Sequence, residues 1–257
     1  MKILPKSFGS NWKSYINLID QNKIEIMAED LKKWIDFDVS NMSLIDIGCG
    51  SGLSSLAFER IGFRDITSFD IDEESVEVTK EMNSKFSKIK WNIFQASILD
   101  DQLIKNSKKM DIVYSWGVLH HTGKMWKAIE NASLLVKKNG YFFIAIYTKG
   151  PNYQNHLNDK IRFKNGGLLR KKFMIYLNIL VHMKSRLLLK KNPFKWNRTK
   201  RRGMNVYHDI LDWLVGLPYE VASPDEIENF CKKLSFKLIK SDITGEAGCS
   251  QYLFKKE

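Results

Sequence analysis

No stretch of this chain limits its fold more than Ser43-Leu44-Ile45-Asp46-Ile47-Gly48-Cys49-Gly50-Ser51-Gly52. A short apolar run closed by three alternating glycines reads as a strand that turns sharply into a helix beginning near Leu53. Glycine adopts positive φ without strain and has no Cβ. At Gly48, Gly50 and Gly52 the backbone can therefore pass close against a ligand at the carboxyl edge of a sheet.

The spacing then selects among ligands. A dinucleotide fingerprint requires its third glycine where this chain has Leu53. Asp46, just upstream, would repel a diphosphate but suits a cationic or hydroxyl-bearing group. S-adenosylmethionine, a sulfonium nucleoside without phosphate, meets both conditions. Residues 53–61 have helical spacing, and residues 65–70 form a second short strand ending in Asp70, 22 positions after Gly48. That is near the ~20-residue offset at which an acid after strand two accepts hydrogen bonds from a ribose diol.

On these residues the chain resembles the class I S-adenosylmethionine-dependent methyltransferases, and closely a bacterial group of generic methyltransferases. The resemblance rests on residues 44–57, on Ser68-Phe69-Asp70-Ile71-Asp72 and on Tyr114-Ser115-Trp116-Gly117-Val118-Leu119-His120-His121-Thr122-Gly123. It continues through Ile144-Ala145-Ile146-Tyr147, Asp209-Ile210-Leu211-Asp212-Trp213-Leu214 and Pro218-Tyr219-Glu220. It covers residues 10–150 well, 204–257 moderately and the middle of the chain least. It implies a Rossmann-like, seven-stranded, mostly parallel sheet with an antiparallel last strand and helices on both faces. It also implies S-adenosylmethionine as cofactor, with Asp46 and the glycine turn near the methionine moiety and Asp70 with Ile71 at the ribose. Ser97 and Ile98 would lie beside adenine, Ser97 standing where the family usually has an acid. Ser115 and Trp116 after strand four, and Trp12 and Tyr15 from a leading helix, complete the expected cofactor set.

At 257 residues and 44% apolar content the chain can bury a substantial core. It is expected to be one domain: a helical cover over 1–42, a cofactor-binding core over 43–150, a basic helical insertion over 151–205, and completion of the sheet over 206–257. No segment approaches the ~18 uninterrupted apolar residues of a membrane span, and a cytoplasmic enzyme is expected. Three widely spaced cysteines, Cys49, Cys231 and Cys249, favour reduced thiols over a disulfide framework. The histidines at 120, 121, 156, 182 and 208 form no ligand spacing with nearby carboxylates, so no metal is expected.

Along the chain, strands are expected at 44–47, 66–70, 91–96, 111–115 and 141–147. Helices are expected at 72–83, at 128–136 and, capped by Ser223, at 224–234. Residues 236–242 and 251–254 would form a closing hairpin. Strands alternating with helices argue a parallel sheet, and such sheets bind ligands at the carboxyl ends of their strands.

The methyl donor is already electrophilic. The protein must place a nucleophile in line within ~3 to 3.5 Å and, for a hydroxyl acceptor, give its proton somewhere to go. His121 is the favoured general base and His120 the next, both following strand four. The bland alternative is that these rings merely hydrogen-bond backbone at the turn. Acceptor-pocket candidates are Tyr147, Asn152 and Tyr153 after strand five, Tyr207, Asp209, Asp212 and Glu220 after the insertion, and Arg201 and Arg202 within it.

The net charge of +12 is uneven, because residues 160–202 hold 15 Lys and Arg and no acid, which leaves −3 for the rest. Such a field attracts anions. A phosphate-bearing small molecule such as a nucleotide-linked sugar ranks first as acceptor. A lipid or quinone at a membrane surface ranks second, and RNA third. Neither an Asn-Pro-Pro-aromatic motif nor a Pro-Cys nucleophile of base methylation is present. A non-catalytic cofactor-binding protein would keep the glycine turn but need neither histidine.

Overall fold

The computed structural model describes Trp12, Ile16, residues 19–194 and residues 206–257. A seven-stranded sheet in the order β3-β2-β1-β4-β5-β7-β6 runs through it. The strands β1 (Ser43–Ile47), β2 (Asp65–Asp70), β3 (Asn92–Gln95), β4 (Met110–Trp116) and β5 (Val136–Tyr147) are parallel. β7 (Cys249–Lys256) lies antiparallel between β5 and β6 (Phe236–Asp242). The strand order reverses between β1 and β4, which places a crevice at their carboxyl ends.

Every residue of β1 is buried, as expected of a central parallel strand covered on both faces. The two-residue period divides the core. Leu44, Ile112 and Tyr114 pack toward α1 (Gln21–Lys32), α2 (Leu53–Ile61) and α3 (Glu73–Phe86). Ile45, Ile47 and Val113 pack toward α4 (Asp101–Asn106), α5 (Met125–Leu134) and α9 (Pro224–Lys233). Helix starts follow capping chemistry. Asp72 accepts from Glu74 N and Ser75 N at α3, and Ser223 with Glu226 forms a capping box at α9 behind Pro224.

The insertion supplies α6 (Tyr153–Asn165) and α7 (Leu168–Leu188), followed by α8 (Val206–Val215). Phe163, Ile175, Leu211 and Leu214 form a small core of their own beneath these helices. No helix among the described residues is long and apolar enough to cross a membrane.

Two elements depart from the sequence expectation. The six-residue α4, capped by Asp100, is too short to show a helical period. The helix expected over 128–136 is α5, which ends at Leu134, and β5 begins at Val136. Asn139 and Gly140 read as a stop, and Asn139 does take φ 61°. They are looped out as a bulge: the pairing steps from Met110 with Val136 to Ile112 with Tyr141.

Opposite that bulge, Asp111 ties three strands together at the end of the sheet remote from the crevice. Its carboxylate accepts from Ser43 N at 2.8 Å, Ser43 Oγ at 2.6 Å and Lys137 Nζ at 2.7 Å. Burial pushes its pKa up, but the bonds from Lys137 and Ser43 outweigh that and hold it at about 2. A carboxylate depressed from 3.8 to about 2 stabilises the fold on the order of 2 kcal/mol above pH 4, and loses that stability as pH falls from 3.8 toward 2. Asp111→Ala should accordingly lower urea-unfolding stability at pH 7 by ~1–2 kcal/mol and leave cofactor affinity unchanged. The gap from the parent should narrow by more than half at pH 2.5.

Candidate active site

The carboxyl ends of β1, β2, β4 and β5 open into one cleft of about 1160 Å³. That exceeds the roughly 300–1,000 Å³ of a pocket for one ligand, so two small molecules fit side by side. The glycine turn forms its floor. Gly48, Gly50 and Gly52 have φ of 73°, 56° and 73°. A Cβ on Gly48 would lie 2.5 Å from Val118 Cγ1, and one on Gly50 would lie 3.0 Å from Trp12 Nε1. Any side chain at 48 would thus be strained in backbone and blocked in space. Trp12 also lines the cleft, its indole lying against Gly50 of the turn.

Asp70, at the end of β2, lines the cleft and braces the turn. Its Oδ2 accepts from Gly50 N and its Oδ1 from Asp72 N, each at 3.0 Å. Burial raises its pKa against the lowering pull of those two N–H groups. Asp46 is buried at the head of the turn and accepts from Ser55 Oγ at 2.7 Å, while still reaching the cleft wall. Ile71, 68% exposed, Ser97 and Ile98 line the far side, where an apolar edge can meet a planar base. Ser97 Oγ accepts from Leu99 N, and Trp116 Nε1 donates to Gln251 Oε1.

Ser115 does not belong to this lining. It is fully buried and spends its hydroxyl on Ile47 O at 3.0 Å, because strand alternation turns it away when Trp116 faces the cleft. The adjacent histidines separate in the same way. His121 lines the cleft, with Nδ1 2.7 Å from Pro218 O. A carbonyl only accepts, so Nδ1 carries the proton and the neutral ring's lone pair lies on Nε2. Burial, with the nearby Lys160 cation, lowers its pKa to about 4 despite the Pro218 bond.

His120 is fully buried outside the cleft, its Nδ1 accepting from Tyr147 N at 3.3 Å and its ring 4.1 Å from that of Tyr147. Burial, with His121 and Lys160 nearby, drives its pKa well below 6.5. The structure thus places His120 in the core behind Tyr147 and not in the cleft lining.

Other expected pocket residues divide likewise. Tyr147, Asp209 and Asp212 line the cleft. Asn152 instead binds Glu246 from the start of α6, and Tyr153 stacks on Tyr219 and donates to its carbonyl. Glu220 accepts from Met125 N with both oxygens at 3.1 Å and so caps α5. Tyr207 packs edge-on against His208 and is not in the lining. Tyr15, Arg201 and Arg202 lie outside the described residues.

Several lining residues carried no sequence signal. Glu246 and its neighbours Thr244 to Gly248 come from the β6–β7 loop, Cys249 from the start of β7, and Phe163, Lys164, Lys171 and Asn178 from α6 and α7. Gly216 admits the His121 ring, since a Cβ there would lie 2.7 Å from Cε1. The sequence marked Pro218 only as part of a family-like motif and gave no sign that this stretch seats an imidazole. Lys160, fully buried on α6, donates to Trp213 O and lies 4.5 Å, 4.6 Å and 5.8 Å from the rings of Trp213, Tyr219 and Tyr147. Burial lowers its pKa to about 7. It pins the insertion to the rim that carries His121.

A family model described as a methyltransferase domain matches residues 20–194. The ubiquinone biosynthesis O-methyltransferase of Pelagibacter ubique is 33% identical over 133 residues, 52% of this chain and 50% of that protein. A ribosomal protein L11 methyltransferase of Staphylococcus aureus is 32% identical over 124 residues, 48% of this chain and 38% of that protein. The chain thus spans about half, or less, of the length of the curated relatives it matches. Among solved structures, magnesium protoporphyrin IX methyltransferase from Synechocystis PCC 6803 with bound S-adenosylhomocysteine superposes with a TM-score of 0.59 at 13% identity, over 98% of this chain and 96% of that one. At that identity the likeness concerns the fold.

Proposed function

Since this chain belongs to the methyltransferase-domain family and has the fold of its S-adenosylmethionine-dependent members, we propose that it transfers the methyl group of S-adenosylmethionine to a hydroxyl of a small acceptor, with His121 as general base. The observation that carries the reading is the sharing of one cleft by the Asp70-braced glycine turn and the His121 imidazole. The turn and Asp70 hold the nucleoside, and Trp12 covers it. The sulfonium needs no activation, so the remaining work is placement of the hydroxyl and removal of its proton. A ring kept neutral down to about pH 4 is in its proton-accepting form throughout the physiological range.

The acceptor we favour is an amphiphile of lipid or quinone type. Phe163, Ile210 and Trp213 give the insertion side of the cleft an apolar wall, and Asp209 and Asp212 set polar groups among them. The name of the Pelagibacter relative agrees with such an acceptor. A phosphate-bearing acceptor is the second reading, supported by Lys164 and Lys171 at the same wall.

Calorimetry with S-adenosylhomocysteine tests the first half of the reading and should give saturable one-to-one binding; well-folded protein that takes up neither this product nor the donor would refute it. Tritiated methyl transfer to hydroquinones, nucleotide sugars and RNA then separates the acceptors. Labelling of the hydroquinone set first is expected.

A further inference from the structure

The geometry points to α7 as a helix that lies in the plane of an anionic lipid surface. Of its 21 residues only Ile175 is buried, held against Leu211 and Leu214 of α8. Lys171 and Asn178, near the same side, line the cleft. The opposite side has no cover among the described residues. Leu169, Phe173, Tyr176, Leu180 and Leu187 recur at spacings of four, three, four and seven, which places them on one stripe, and they are 41–84% exposed. The stripe runs about 27 Å along the helix at 1.5 Å per residue.

Eleven of the sixteen large apolar side chains exposed among the described residues fall between 168 and 194. The surface is thus concentrated on this one element and its end, which scattered surface apolar residues are not.

The charge identifies what covers it. Lys172 and Lys184, both exposed, flank the stripe on either side, within a segment of 15 cations and no acid over 160–202. A second copy docked through the same stripe would set these cations against their own duplicates with no counter-charge between them. A bilayer carrying acidic headgroups supplies both partners at once, acyl chains for the stripe and anions for its flanks. The helix rests on such a surface and does not cross it, since its five Lys and Arg residues leave it too polar to span. The inner side of α7 closes the cleft as the outer side meets lipid, so this surface deepens the favoured acceptor reading. It explains how an acceptor dissolved in the bilayer reaches the cleft. Its test reads vesicle binding apart from cofactor binding and methyl transfer, so either conclusion can fail alone.

The full chain should co-sediment with phosphatidylglycerol–phosphatidylcholine vesicles at least about tenfold more tightly than with pure phosphatidylcholine, and less tightly as salt rises. Phe173→Ser with Leu180→Ser should lose binding to both. Lys172→Gln with Lys184→Gln, which keeps the stripe, should lose most of the preference for acidic lipid. Retained affinity for S-adenosylhomocysteine is the folding control for both pairs. Vesicle binding that neither pair of substitutions weakens would overturn the assignment. So would absence of vesicle binding, a concentration-dependent dimer abolished by the serine pair in its place, or tighter binding of an RNA oligonucleotide than of acidic vesicles.

Discussion

His121→Ala is expected to lower turnover by about 10²- to 10⁴-fold while S-adenosylhomocysteine affinity stays within a few-fold of the parent's. The split follows from placement, because His121 is held by Pro218 O and packs edge-on against Tyr147, whereas the nucleoside is assigned to the glycine turn and Asp70. Its pH dependence is the sharper check. An unperturbed imidazole base would give an acid limb near pH 6.5. Burial here lowers the value to about 4, with Lys160 beside the ring adding to the shift and Pro218 O opposing it. Turnover should therefore persist from pH 7.5 to 5.5 and fall only toward pH 4. Lys160, itself near 7, is charged where that fall occurs, and its pull is already part of the value of about 4.

The same depression acts on stability. The unfolded chain takes up a proton at residue 121 below about 6.5 and the folded chain does not until about 4, so the fold loses stability progressively across that window. Turnover of His121→Ala equal to the parent's, measured at saturating acceptor, would remove the residue from the mechanism.

Asp70→Ala is expected to weaken S-adenosylhomocysteine binding by about 10²- to 10⁴-fold. Hydrogen bonds to a charged group contribute about 1.5–3 kcal/mol each, and two ribose hydroxyls facing one carboxylate lose both. The brace under the turn goes as well, since Gly50 N and Asp72 N each donate to this carboxylate at 3.0 Å. Asp70→Asn offers a single amide oxygen in place of two carboxylate oxygens, and its loss should fall between those of the parent and the alanine form. Calorimetry on protein whose thermal unfolding is unchanged measures this cleanly. A dissociation constant within threefold of the parent's for Asp70→Ala would mean the nucleoside is not held at the end of β2.

The nucleoside side of the cleft was legible because it is built from backbone. Three glycines with positive φ and an acid at the end of the neighbouring strand leave marks in the local sequence, and central β1 shows the apolar run that buries it. The acceptor side was legible only as a list of polar and aromatic candidates. His120 and His121 are identical residues one position apart, yet one bonds Tyr147 N in the core and the other bonds Pro218 O at the cleft. Glu220 was expected in the acceptor pocket and is a helix cap, while Glu246, in a loop without a motif, reaches the cleft.

The amino-acid order alone determined the strand–turn–helix unit, the alternation of strands and helices that calls for a parallel sheet, and the basic, acid-free insertion, because each is written in neighbours within a few residues. Which polar groups meet in the cleft, and which side of α7 is left bare, was decided only by the tertiary structure. Those outcomes depend on contacts between residues about 100 positions apart, such as His121 with Pro218, and a one-residue step along a strand or turn is enough to exchange core for cleft.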